Sequence, residues 1–214
     1  VDAGGPLVGV ALRDRFDRTG VGPSLQVLGP MLTVPGSHPC ETVDDPTFCA
    51  YAESPEAAAE VAQAHLTAGT DGLKAALADA AFSPWPTPRL DPASLAAAAG
   101  VHPGPVVVHA DTVLDAVDAL DAGATQLAHP VFGGPALSDA AVDVAARADA
   151  VHTTIGAFSG TLDLLEGRLD LDAPELPEAV RANWTWLSTR PNAFDPDWLT
   201  ESVVWWSTAE TSVA

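Results

Sequence analysis

Two short runs of the chain stop at a histidine: Val106-Val107-Val108-His109 and Gln126-Leu127-Ala128-His129, with one helix-like stretch between them. An imidazole nitrogen binds Zn, Fe, Co, Ni or Mn at roughly 2.0–2.2 Å. Taken singly, each histidine is as well explained by capping the following helix or by bonding a loop. Matched positions on successive strands point instead to one shared cation. Lys74 adds a third group. It is the sole lysine of the chain, and it stands in "TDGLKAALADA", inside an apolar run rather than on a polar helix face. Desolvation there lowers an amine's pKa, and a neutral amine can take up carbon dioxide to give a carbamate, whose two oxygens can bridge metal ions. The plain alternative is a lysine whose stem lies along the apolar wall while its ammonium reaches the rim.

Those three residues need elements that bring them together. Ser54-Pro55 opens an Ala-rich stretch closed by Gly69, Asp91-Pro92 one closed by Gly100, Asp111 or Thr112 one closed by Gly123, and Ser138 one running to about Ala148. Each start has a capping side chain, and Pro suits a first helical position. Between them lie the β-prone runs Leu25–Gly29, Gly72–Leu77, Val106–His109, Thr125–His129 and Ala150–Ile155. These are apolar throughout rather than alternating, as in strands covered on both faces. Strand and helix in turn, with tight Gly-rich connections, predict a parallel α/β sheet, and the short repeat suits a (β/α) barrel. Side chains at the C-terminal ends of its strands converge on one mouth. Residues 30–53 and 157–194 read as long loops at that mouth, and the tail from Asp195 or Asp197 reads as a helix carrying Trp198, Val203 and Trp206 on one side.

The composition limits the partners. With 9 Lys+Arg against 29 Asp+Glu, the net charge is -20, which disfavours nucleic acid and anionic membrane surfaces, since both require clustered cations. No apolar run approaches the ~20 residues that span a bilayer. The start Val1-Asp2-Ala3-Gly4-Gly5 has no basic leader and no initiator methionine, so position 1 reads as an internal point of a longer gene product and the location as cytoplasmic. A chain of 214 residues, 47% of them hydrophobic, can form one substantial core, and 1–214 is expected to be one partial barrel domain. Cys40 and Cys49 could pair, but free thiols in a reduced cytosol are expected.

In this order the motifs resemble the metal-dependent amidohydrolases. "VDAGG" is similar to the end of that family's second strand, "GPMLTVPGSHP" to the loop after strand three, "AGTDGLKAAL" to strand four, "VVVHA" to strand five, "GATQLAH" to strand six, and "VHTTIG" falls where strand seven stands. The nearest look is to the imidazolonepropionase and Xaa-Pro dipeptidase branch. The resemblance implies an incomplete (β/α)8 TIM-type barrel, about strands two to seven. It implies Lys74, His109 and His129 as metal ligands, with Lys74 carboxylated and bridging, and His38 facing the substrate. The cofactor implied is one or two divalent ions, Zn first. The reaction implied is hydrolysis of an amide, a cyclic amide or a related C–N bond in a small molecule or short peptide, by an enzyme that can be a homo-oligomer. The family's His-x-His on strand one and its Asp on strand eight have no counterpart among the 214 residues, so the chain is expected to be the middle of an enzyme, with no catalytic residue of its own assigned and little turnover alone.

The rival reading is a non-catalytic or degenerate barrel fragment that needs a complementary chain, because open parallel edges invite association. A sugar- or phosphate-binding barrel is disfavoured by the absence of a Gly-rich phosphate loop. His65 reads as surface or interhelical packing and His102 as a turn residue, while His152 is open between the mouth and the helix layer. Asp111-Thr112 reads as a helix start, and Cys40 has no ligand spacing.

Overall fold

The computed structural model describes residues 5–37, 40, 45–78, 87–131 and 139–152, with 174, 178 and 181 as isolated positions. Two compact units divide the chain, Val1–Thr153 and Thr154–Ala214, and the sheet belongs wholly to the first. Ser138, the end of the Ala150–Ile155 run, the 157–194 loop apart from those three positions, and the tail helix expected from Asp195 lie outside the described residues, as do "VDAG" and His38.

In order along the chain the elements are α1 Val8–Thr19, β1 Met31–Thr33, β2 Cys49–Tyr51, α2 Pro55–Ala68, β3 Leu73–Ala76, α3 Pro92–Val101, β4 Val106–His109, α4 Val113–Asp121, β5 Gln126–Leu127, α5 Asp139–Arg147 and β6 Ala150–Val151. The six strands form one sheet in the order β2-β1-β3-β4-β5-β6, and every pairing is parallel. From β3 onward each strand pairs with the next through one helix, the βαβ rhythm expected.

Local chemistry explains the helix ends. Ser54 caps α2 by accepting from the Ala57 N–H, Pro55 takes the first helical position, and Gly69 stops the helix at φ 86°, in left-handed space that other residues enter only with strain. Thr112 and Asp115 make a reciprocal capping box at the start of α4. Helix α3 is capped by Asp91 but does not stop at Gly100. It runs on to Val101 and ends at His102, because Gly100 lacks the positive φ that would end the helix.

Two expectations about strands are corrected. The Leu25–Gly29 run is not a strand: it lies beside Asp71 through Asp71 N–H to the Val27 carbonyl and Val27 N–H to Asp71 Oδ2, both 2.7 Å. Gly29 turns the backbone at φ 75° and Pro30 has no N–H to give to a ladder, so pairing begins one step later, at Met31. The 30–53 segment is likewise more than a loop. It holds β1 and β2, in register Met31↔Cys49 to Thr33↔Tyr51. Cys40 and Cys49 are joined in a disulfide with Cα atoms 6.2 Å apart, not present as free thiols. The fold brings them together, with Cys40, Cys49, Met31 and Ala76 packed as a small buried cluster.

The main core lies between the sheet and the helices. Leu32, Leu73, Ala75, Leu77, Val106, Val108 and Leu127 pack with Leu95, Ala58, Ala62, Ala98, Ala116 and Ala119. Truncating a leucine in such a layer costs about 2–5 kcal/mol. Small helix residues let the helices lie close to the sheet. At the strand starts the backbones approach more closely still: a Cβ on Gly104 would fall on the Asp71 carbonyl oxygen, and one on Gly72 on the Pro105 carbonyl oxygen.

Candidate functional site

Side chains alternate across a strand. Leu73 and Ala75 join the helix-facing core, so Lys74 and Ala76 point to the other face. The pairs Lys74↔Val107, Ala76↔His109 and Val107↔Gln126 carry that face across β4 and β5. Thr33 is level with Ala76 on the other side, one step beyond Leu32↔Ala75, and Tyr51 is level with Thr33. One face of the sheet therefore presents Tyr51, Thr33, Lys74, His109 and Gln126, and its polar groups gather toward the C-terminal rim.

Lys74 is 4% exposed. Burial pushes its pKa down to about 7, partly offset by the charge of Asp111. His109 ends β4, and His129 lies two residues beyond β5. Their rings meet edge to face with centroids 4.5 Å apart, and His129 Nε2 is 2.9 Å from His109 Nδ1. On the far side His109 Nε2 lies 2.9 Å from Asp111 Oδ1, which is 3.9 Å from His129 Nε2. Burial first, then the neighbouring His109, pushes His129 down to about 3, so it is a neutral ligand-type nitrogen at ordinary pH.

The Pro130 carbonyl fixes the tautomer of His129. The Pro130 carbonyl oxygen, 2.9 Å from His129 Nδ1, can only accept, so that nitrogen donates and Nε2 keeps its lone pair. His109 Nδ1 then donates to His129 Nε2, and His109 Nε2 faces a carboxylate oxygen that also only accepts. Two imidazoles thus stand around the buried Asp111 carboxylate, and the Lys74 amine is close enough to feel its charge. One ligand atom from each of His109, Asp111 and His129 can be chosen so that all lie within 4.8 Å of one another.

Asp111 is the residue sequence reasoning missed. It reads as helix punctuation, but the cap of α4 belongs to Thr112 and Asp115, and Asp111 is 2% exposed beside His109. Its signal is the spacing His109-Ala110-Asp111, two residues apart at a strand end, which keeps both side chains on one face. His152 turns to the site face, its Nε2 2.9 Å from Gln126 Oε1. The disulfide also lies toward this face, against Ala76.

Two other histidines lie elsewhere. His65 and His102 are both 4% exposed, so neither is a surface residue, and they sit by the loops that precede β3 and β4. His102 Nε2 is 3.1 Å from Thr70 Oγ1 and its Nδ1 accepts from the Gly104 N–H.

No known family model and no curated protein matches the sequence. Solved structures do resemble the fold. A Xaa-Pro dipeptidase with methionine bound in its active site matches with a TM-score of 0.59 at 19% identity, over 100% of this chain and 52% of that one. A protein described as an amidohydrolase matches with a TM-score of 0.61 at 17% identity, over 99% and 51%. The ochratoxinase of A. niger matches with a TM-score of 0.55 at 15% identity, over 94% and 48%. The chain thus spans about half the length of these enzymes and shares the fold of that half.

Proposed function

We propose that this chain carries the metal-binding rim of a metal-dependent hydrolase acting on amide or other C–N bonds, on a (β/α)8 barrel of which it forms about strands two to seven. The observation that carries the reading is that Lys74 and His109 lie on one face of the sheet and His129 meets His109 at its rim. The resemblance in fold to dipeptidase and amidohydrolase halves supports it, and so does the spacing of His109, Asp111 and His129, which offer one ligand atom each within 4.8 Å of one another.

In this reading His109 and His129 hold a divalent cation, Zn in the first instance, through neutral nitrogens, and the Pro130 carbonyl fixes the ring of His129 for that task. Lys74, neutral over much of the ordinary pH range, takes up carbon dioxide with loss of one proton, and the resulting carbamate oxygens join the shell of one or two ions. A divalent ion bound there supplies a Lewis acid for the scissile carbonyl and a water acidified toward about pH 7. His38 faces the substrate, a short peptide or a cyclic amide. Thr33 and Tyr51 line the same face on the neighbouring strands.

Metal analysis of the purified chain beside Lys74→Ala tests this. The expected result is bound divalent metal in the parent chain, loss in the variant and little hydrolysis in either. Equal metal in the two removes Lys74 from the site.

A further inference from the structure

We propose that Asp111 is a direct ligand of the same cation, so that His109, Asp111 and His129 form a set of two imidazoles and one carboxylate that holds a single divalent ion. This deepens the hydrolase reading and rests on its claim that the rim binds a cation, but not on any substrate.

Three observations carry it. The first is distance. Two ligands at about 2.1 Å from one ion lie at most about 4.2 Å apart, and the separation between His129 Nε2 and Asp111 Oδ1 is 3.9 Å. A cation can reach both with no shift of backbone. His109 lies beside both, with one ring nitrogen 2.9 Å from each partner. The second is burial. A carboxylate 2% exposed is stable only where it is paired, and two nitrogens meet it here. The third is the helix start. The capping box of Thr112 with Asp115 closes the first turn of α4, so Asp111 is not needed there.

The set N, N, O suits Zn, Co(II), Fe(II) or Mn(II) rather than Ca or Mg, which take oxygen ligands. The half-exposed His109 side, 17% open to solvent, is where a water or a substrate oxygen would enter. All three ligands lie between positions 109 and 129, so the unit Val1–Thr153 binds one ion by itself.

The test is Co(II) titration of the whole chain, first stripped of metal, followed by visible absorption and by calorimetry. The parent chain is expected to bind one equivalent with ligand-field bands, and the near-isosteric Asp111→Asn is expected to bind ~100-fold more weakly or less. Asp111→Cys keeps the proposal falsifiable should the Asn variant misfold: a direct ligand yields a thiolate-to-cobalt charge-transfer band in the near ultraviolet, which a residue that only positions its neighbours does not produce. Equal affinity in Asp111→Asn, or no such band in Co(II)-loaded Asp111→Cys, overturns the proposal. No binding by the parent chain overturns both it and the hydrolase reading. One bound ion, lost in Asp111→Asn, with no C–N hydrolysis in longer forms of the protein, leaves the ligand assignment standing and removes the hydrolase reading alone.

Discussion

The protein places two pairs of histidines at opposite ends of one parallel sheet, and their surroundings differ in one respect. At the strand starts, His102 is held by a threonine hydroxyl and a backbone N–H, and His65 packs beside it with Nδ1 lacking a hydrogen-bond partner among the described residues. Asp71 lies nearby but is engaged with Arg13 and the Val27 N–H. At the strand ends, His109 and His129 face each other and a buried carboxylate, with the buried Lys74 on the same face of the sheet. Burial alone therefore does not mark a site. A neutral imidazole with a hydroxyl and an amide for partners joins two loops. Two imidazoles and a carboxylate with ligand atoms within 4.8 Å of one another form a group that could hold a metal ion.

That contrast can be attacked in order of expected effect. Replacing Lys74 by Met should raise stability by about 3 kcal/mol at pH 7 in chelator, because it removes an amine that burial holds at about 7. The sign follows from proton counting. Between pH 7 and the ordinary lysine value near 10.5 the unfolded chain binds a proton that the folded chain does not, so the parent's stability rises with pH across that window. Urea melts should show this rise in the parent and a flat profile in Lys74→Met. Next, His129→Ala should weaken zinc binding ~100-fold, about 2.7 kcal/mol, whereas His102→Ala should leave it unchanged. Equal losses measured by calorimetry would erase the distinction between the pairs.

Cutting Cys40–Cys49, which closes a loop with a sequence separation of 9, should cost about 2.5 kcal/mol, read as a lower urea midpoint for Cys40→Ser/Cys49→Ser. A smaller effect belongs to the other end of the sheet. Burial holds His65 and His102 below the usual histidine range, with the charge of His102 lowering His65 further and Thr70 and Asp71 partly restoring His102. Their contribution is complete above about pH 6.5 and is lost as pH falls below it, since only the unfolded chain then takes up the protons. His102→Gln should flatten that acid limb and leave metal affinity alone. Smallest of all, Gly100→Ala meets no atom within 4 Å and should stabilise α3 by about 0.5–1 kcal/mol without touching either pair.

Much of this was legible in the sequence. Ser54, Gly69 and Thr112 announce their helix ends because capping is local chemistry. Runs 72–77 and 106–109 announce strands because both faces are covered. Three-residue strands such as Met31–Thr33 and Cys49–Tyr51 are too short for a pattern of their own and exist only through their pairing with neighbouring strands. Helix α1 was not foreseen, since Val8–Thr19 buries no side chain and so carries no clear apolar stripe. The shared face of Lys74 and His109 was legible because side chains alternate along paired strands, and the meeting of His109 with His129 because neighbouring strand ends converge. Asp111 was not, because an acid before a helix looks the same whether it caps or points sideways. The cysteine pair and the two inner histidines depended on tertiary neighbours that no local signal reports.

The bridge from Cys40 to Cys49 bears on how the protein should be handled at the bench. Dithiothreitol and mercaptoethanol would open it, and the same reagents sequester zinc and cobalt. Preparations made in them would lose covalent closure and metal at once, and the two losses would look like one. A phosphine reductant, or none, keeps them separate.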